Sequence, residues 1–420
     1  MTKDNQILLQ RIDAVKDPAS VPEYVALGGF AALRKAVTMD KTDILQDVDD
    51  ANLRGRGGAA YPAGRKWKQL YSIEEEPKYI VCNADEGEPG TFKDRVLLER
   101  DPLGVIEGMA IAGYVFDSHE GFIYLRGEYR AIRPVIQRAI DNATAAGYLG
   151  KDILGVAGFD YTISIISGAG AYVCGENSTL LNSIEGKTGR PRVKPPHLAE
   201  VGLYSMPTLV NNVESFSCIP VIINIGGKAF LEIGTPDGGG TKLVAICGHA
   251  KNRGLFEVPL GTPFRDVLFS DTYGGGTSSG RPVKFVHLGG QSGPLAFAEH
   301  FDAPYSYQGL SDLGLAIGSG AFVVMDDSVS LVEYAQKVMA FFVHESCGKC
   351  TPCRVGTMRL LELLDKFVAG SAKPGDIEVL EKMLGQVMEL SACGLGQTAG
   401  VAVRSALQYG RQEFEERVGG

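Results

Sequence analysis

The sequence predicts an α/β protein in three parts: a mainly parallel sheet with helices, a small α+β module, and a C-terminal helical bundle. Three observations carry this. Short β-branched runs alternate with helical stretches up to about residue 230, the pattern of a parallel sheet. A glycine-rich stretch at 236–241 then leads into several short strands. From Ser328 the apolar spacing turns helical, and four of the eight cysteines fall in this last part.

Composition sets the bounds. A chain of 420 residues can hold two or three domains with sizeable cores, and its 45% hydrophobic and 22% charged residues are those of a globular protein. The net charge of −9 argues against nucleic acid as a partner and offers no basic face to a membrane. No apolar run reaches the ~18 residues needed to span a bilayer. The first residues lack the apolar core of a signal peptide. Clustered cysteines in so long a chain read as metal ligands in a reducing compartment, and a cytoplasmic setting is expected.

Taken in order, residues 1–53 form an N-terminal helical segment, with helices expected over 21–37 and 41–53. An α/β domain is expected over 54–235. It opens on Arg54-Gly55-Arg56-Gly57-Gly58-Ala59-Ala60-Tyr61-Pro62, where glycines permit close backbone approach to a ligand and Pro62 is suited to starting a helix. Flanking Arg54, Arg56 and Lys66 would favour a phosphate or a flat anionic cofactor. A strand at 78–82 ends in Asn83-Ala-Asp85-Glu86-Gly87-Glu88-Pro89-Gly90, and ligands of open α/β sheets sit beyond the carboxyl ends of strands. A strand at 121–125, a helix over 128–146 and a strand at 161–166 follow. The last runs into Ser167-Gly-Ala-Gly-Ala-Tyr172-Val-Cys174-Gly175-Glu176-Asn177 and a helix through Ile184, a second candidate phosphate or ribose site. Cys82 and Cys174 lie among apolar neighbours and are expected to be packing residues. A basic, proline-rich loop (Lys187, Arg190, Arg192, Lys194) precedes Val210-Asn211-Asn212-Val213-Glu214, whose paired amides suit a ligand-facing strand end.

The middle module, 241–325, is expected to carry strands at 242–248, 254–258 and 283–288 and one helix at 263–269. The bundle, 328–420, is expected as helices over 328–343, 354–368, 374–389 and 398–417, with Ser328 as an N-cap and Pro374 at a first helical position. Its first loop reads Glu345-Ser-Cys347-Gly-Lys-Cys350-Thr-Pro-Cys353-Arg354, and Cys393 follows forty residues after Cys353. A tight CxxCxxC loop with a distant fourth thiol suits a [4Fe–4S] cluster. Structural zinc favours two separated CxxC pairs, and unrelated buried thiols seldom crowd so closely.

These motifs together resemble the flavin- and NADH-binding subunit of respiratory complex I and its relatives in multimeric NAD(P)-linked [FeFe]-hydrogenases and formate dehydrogenases. The resemblance runs over nearly the whole chain. It implies a Rossmann-like domain for FMN and a nicotinamide nucleotide, a β-grasp-like middle module and a bundle holding one [4Fe–4S] cluster on Cys347, Cys350, Cys353 and Cys393. Around FMN it implies Gly55, Arg56, Gly57 and Lys66, then Asn83, Asp85 and Glu86. It adds Tyr172, Gly175 and Glu176, then Val210, Asn211 and Asn212, with Gly394-Leu395 beside the cluster. The nucleotide would lie near Gly58, Ala59 and Tyr61, with Glu88 toward the nicotinamide and Lys194 toward the adenosine.

The implied reaction is hydride transfer between NAD(P)(H) and FMN, then single-electron transfer with the cluster. Glu88 and Glu176 would orient or tune, because no protein acid or base need act on a hydride. A quinone- or ferredoxin-linked carrier that does not use nicotinamide is the alternative. With no further CxxC set after Cys393, partners are expected: a thioredoxin-like [2Fe–2S] subunit and a further iron–sulfur or catalytic subunit. NADH-specific members of this family usually carry an acid where this chain has Asn177, and an aromatic residue where it has His197. Losing that acid and gaining a possible cation beside Arg192 and Lys194 shifts the expected preference toward NADP(H).

Overall fold

The computed structural model describes residues 6–193 and 195–419. Its first sheet has four parallel strands, β1 (Tyr79–Ala84), β2 (Glu120–Leu125), β3 (Thr162–Ser167) and β4 (Thr208–Asn212), in the order β3-β2-β1-β4. The chain runs outward from β1 to β3 on one side and returns to place β4 on the other. The strand order therefore reverses between β1 and β4, where Asn83 pairs in register with Asn212. Such a switch point opens a crevice at the carboxyl ends of the strands.

The helices Pro102–Phe116 and Val213–Ile225 are apolar on nearly every face and almost wholly buried. Helical periodicity is weak in such segments, which is why the sequence did not reveal them. No single helix among the described residues is long and apolar enough to cross a membrane; Val213–Ile225 and Gly227–Ile233 would suffice together by composition but are bent by 117°. The segment before Leu53 shares the core of this sheet. The helix expected over 21–37 is two, Val21–Ala26 and Ala31–Ala36, broken at Gly28, whose φ of +85° no helix accommodates. The buried Glu107 carboxylate fixes this break, accepting from Tyr24 OH (2.5 Å) and from the amides of Phe30 (2.9 Å) and Leu33 (3.0 Å). The helix expected from Glu128 starts at Arg133, after a 3-10 turn at Gly127–Tyr129. Pro62 stands just outside Ala63–Tyr71, as its N-cap.

The second sheet is mixed: β5 (Thr241–Gly248), β6 (Gly254–Pro259), β7 (Val283–Leu288), β8 (Leu295–Ala296) and β9 (Ala321–Asp326), ordered β6-β5-β9-β7-β8. Only β5 and β9 run parallel, and Phe264–Phe269 packs into the core of this module, a β-grasp-like arrangement. The bundle helices are Leu331–Glu345, Thr351–Val368, Asp376–Leu390, Gly394–Thr398 and Val401–Glu415. Two expected caps are displaced. Ser330, not Ser328, caps the first helix, while Ser328 bonds Asp326 at the end of β9. Pro374 precedes the N-cap Gly375 and so lies outside the third helix. The stretch expected over 398–417 starts at Val401, because a separate short helix follows Cys393. The bundle packs on the first sheet, sharing a core with Val81, Tyr124, Val173 and Leu180.

Candidate active site

A cavity of about 560 Å³ opens at the carboxyl ends of β1 and β4, and all three parts of the chain wall it. The first sheet contributes the turn 57–59, Asn83, 85–88, Tyr172, Gly175, Glu176 and Asn212. The middle module adds Gly289, 292–294 and 318–319, and the bundle adds Leu395, Thr398 and Arg404. The turn 57–59 can press against the strand end because it has no side chain there. A Cβ on Gly57 would stand 3.2 Å from that of Asn212, and Gly58 has φ +123°.

The polar groups on this wall are held by local structure. Asn83 Nδ2 donates to the Gly175 carbonyl (2.9 Å) and to Asn177 Oδ1 (3.2 Å), tying the β1 end to the β3 turn. Asn212 caps Val213–Ile225; its Nδ2 donates to Asp94 (2.6 Å) and its Oδ1 accepts from Lys93 (3.0 Å). Glu86 accepts from the amides of Asp94 (2.9 Å) and Arg95 (3.0 Å) and from Tyr129 OH (2.8 Å). Burial and the nearby Asp94 push Glu86 up to about 7. Glu176 caps Asn177–Ile184, accepting from the Thr179 amide at 2.9 Å. Glu88 accepts from Tyr172 OH (2.6 Å) and from the Ser292 amide (2.8 Å), bridging the first sheet and the middle module; burial raises its carboxyl.

A charged network that the sequence did not reveal reaches the wall at Lys93 and Asp94 and extends behind it. Lys93 contacts Asp94 (2.6 Å) and Glu214 (3.1 Å), and Glu214 also pairs with Lys242 (2.6 Å), every one of them buried. Burial alone would raise Glu214, but Lys242, Lys93 and Arg56 together hold it below the ordinary carboxylate value. Burial pushes Lys242 down to about 8 against the pull of Glu214.

Several residues expected at the site stand off the wall. Arg56 is fully buried, with its guanidinium donating to Tyr307 OH (2.6 Å) and the Gly239 carbonyl (2.7 Å), so it fastens the middle module and does not present a cation to the cavity. Gly55 closes the loop by donating to the Tyr61 carbonyl (2.9 Å), and Tyr61 itself is 49% exposed. Lys66 donates to the Val210 carbonyl (2.8 Å) and Asn211 Oδ1 (3.2 Å) behind β4; burial pushes it down to about 8. Asn177 lies one bond behind Asn83, and His197 is exposed on its loop. Arg192 is engaged by Glu185 (2.7 Å) and the Gly202 carbonyl (2.7 Å), so it is not a free cation beside His197. Lys194 lies outside the described residues. The walls from 289–294 and 318–319, and Arg404, were not anticipated. Their sequence signal was the glycine-rich turns Gly289-Gly290-Gln291-Ser292-Gly293 and Gly318-Ser319-Gly320.

The donor set fits a flavin. Asp85 Oδ2 on the wall and Asn211 Nδ2 beside Lys66 are buried polar atoms without partners, one an acceptor and the other a donor. Burial pushes Asp85 up to about 7, although Arg126 opposes it.

Cys347, Cys350, Cys353 and Cys393 line a second, small cavity with Val173, Pro191 and Leu395. Cys350 and Cys393 each stand at a helix N-cap, and the amides of Leu395 and Gly396 bond the Cys393 sulfur. Four thiols spread around one space suit the corners of a cuboidal cluster better than one tetrahedral zinc. Val173 and Leu395 line both cavities and form the wall between them.

Two family models match the chain: the Nuo51 FMN-binding domain over residues 48–221, and the NADH-ubiquinone oxidoreductase-F iron–sulfur binding region over 333–417. The second F-type subunit of the NADH-quinone oxidoreductase of Rhizobium meliloti is 42% identical over 97% of this chain and 96% of its own length. The HndC subunit of the NADP-reducing hydrogenase of Solidesulfovibrio fructosivorans is 42% identical over 96% of this chain and 81% of its own. Among solved structures, the NAD+-reducing [NiFe]-hydrogenase in its H2-reduced state superposes with a TM-score of 0.86 at 35% identity, covering 99% of this chain and 67% of that one. The chain therefore belongs to the family of FMN- and iron–sulfur-binding oxidoreductase subunits that includes the F-type subunit of NADH-quinone oxidoreductase.

Proposed function

We propose that this chain exchanges hydride between NAD(P)(H) and FMN in the larger cavity and passes electrons singly to or from a [4Fe–4S] cluster on Cys347, Cys350, Cys353 and Cys393. The observation that carries this reading is the wall shared by the two cavities, made by the apolar side chains of Val173 and Leu395. Bound flavin supplies the conversion between two-electron and one-electron chemistry. The residues supply position and electrostatics. The turn 57–59 admits a flat ring, Asp85 and Asn83 present polar atoms to its edge, and Lys66 stands behind β4 among neutral acceptors. Glu88 orients the nucleotide from the junction of two modules. Val173 and Leu395 keep water from between the redox groups.

In this reading the functional units are 54–235, 241–325 and 328–420, behind a docking segment at 1–53. The relatives are subunits of larger enzymes, which supports partner subunits here as well. We assign a thioredoxin-like [2Fe–2S] subunit and a further iron–sulfur or catalytic subunit to that role, in the cytoplasm. Between the two nucleotides NADP(H) is favoured, with NAD(H) the alternative: Asn177, behind Asn83, brings no negative charge next to Glu176, so a ribose 2′-phosphate would meet one less repulsion.

The test is anaerobic purification with cofactor analysis. The chain should release FMN on denaturation, carry about four irons, and have its flavin bleached by NADPH or NADH. One zinc per chain without flavin would reject the enzyme reading. A flavin that neither nucleotide bleaches would point to a quinone- or ferredoxin-linked carrier.

A further inference from the structure

His287 lies on β7, fully buried and outside the larger cavity, yet it connects two of its walls. One ring nitrogen, Nε2, is 3.0 Å from the Gly293 carbonyl, and the other, Nδ1, is 2.8 Å from Tyr334 OH. A carbonyl can only accept, so Nε2 carries the proton. Burial lowers the imidazole to about 4, so the ring is neutral, Nδ1 is an acceptor, and Tyr334 OH donates to it. The tautomer is thus fixed from both ends.

Gly293 belongs to the turn that also carries Ser292, whose amide donates to Glu88. Tyr334 belongs to the first bundle helix, Leu331–Glu345. Seven residues on, Phe341 meets the Tyr172 ring edge-on at 5.1 Å, and eleven on, Glu345 accepts from the Tyr172 amide at 3.0 Å. Spacings of seven and eleven share one helix face, so one side of one helix grips both walls across about 16 Å. Tyr172 OH then donates to the other oxygen of Glu88. The contacts form a closed circuit: Glu88, the turn at 292–293, His287, the helix, Tyr172, and back to Glu88.

We propose that His287 is a positioning residue for Glu88: as its neutral Nε2–H tautomer it pins the Gly293 carbonyl to the bundle helix and so holds the Ser292 amide against the Glu88 carboxylate. This rests on the reading of the cavity as the flavin and nucleotide site. Glu88 reaches across two modules, and without a fixed turn on the far side its carboxylate would follow Tyr172 alone. The helix that carries the cysteine loop at its end thereby also sets the nucleotide-facing acid.

The experiment uses the full chain loaded with FMN and iron. In His287→Leu the KM for its nucleotide should rise on the order of three- to tenfold, the effect of one lost hydrogen bond, while kcat, flavin content and iron content hold. His287→Gln, whose amide can donate to the same carbonyl, should recover most of the loss. In a Glu88→Gln background His287→Leu should add little, because the tie then has no carboxylate to place. Independently of turnover, 15N-histidine spectra of the flavin-free chain should contain a pure Nε2–H tautomer signal that disappears in His287→Gln, separate from that of His300, whose Nδ1 accepts from the Phe297 amide. If His287→Leu does not fold, Tyr334→Phe removes the tautomer lock and should raise KM in the same direction. An unchanged KM in the variant that folds, additive effects with Glu88→Gln, or an Nδ1–H tautomer would each overturn the proposal. A wild-type flavin that no nicotinamide nucleotide reduces would instead remove the functional reading, and the tautomer spectrum would still decide whether the tie exists.

Discussion

Replacing Glu214 with glutamine takes the negative centre out of a buried cluster that backs the cavity. Its Oε2 lies 2.6 Å from Lys242 Nζ and 3.1 Å from Lys93 Nζ, and its Oε1 accepts from the Leu243 amide at 3.0 Å. Glutamine keeps an oxygen for one of these donors but leaves two buried ammonium groups facing each other. Removing one partner of a buried pair costs about 3–5 kcal/mol, and the retained acceptor argues for the lower end. At about 2–4 °C per kcal/mol for a unit of this size, the melting temperature should fall on the order of 6–12 °C. The sign with pH follows from the depressed Glu214 value. Its stabilisation is complete above about pH 4.3, the ordinary glutamate value, and is lost as pH falls through the lower folded value. The gap between wild type and Glu214→Gln should therefore be widest near neutrality and close in acid. Scanning calorimetry of both proteins from neutral pH downward measures it. A melting temperature within about 2 °C of wild type at neutral pH would show that the cluster does not stabilise the fold as argued.

Two other expectations bear on the cofactors. Cys393→Ala should lower iron content and abolish transfer to the partner subunit, while nucleotide still bleaches the flavin; full transfer in this variant would remove Cys393 from the ligand set, and aggregation would itself show that cluster binding supports the fold. Asn177→Glu should shift kcat/KM toward NADH over NADPH by about tenfold, or about 1.4 kcal/mol; a wild type already preferring NADH tenfold, unmoved by the substitution, would refute the assigned nucleotide.

Much of the site was legible because its loops are short and chemically distinctive. The four cysteines, the glycine turn at 57–59 and the stretch 83–88 all end up on a cavity wall. What failed to read was whatever depends on distant neighbours. Arg56 looked like a phosphate ligand because nothing local reveals that Tyr307 and Gly239 cover it. Lys93 and Asp94 drew no reading at all, since nothing local marks them as buried; their burial depends on Glu214 and Asn212, far along the chain. β9 escaped as well, although its run Ala-Phe-Val-Val-Met after Gly320 is a buried-strand signal, and it occupies the centre of the second sheet.

The three-sided wall of the larger cavity also has a consequence for biogenesis. Its first residue, Gly57, and its last, Arg404, are separated by most of the chain, and the middle module stands between them. No partly made or partly folded chain contains the pocket, because long-range contacts form late and the bundle leaves the ribosome after the other two parts. A ligand that touches all three walls binds only the finished state and stabilises only that state. Binding of such a ligand would therefore separate completed chains from those in which any one of the three parts has failed to dock.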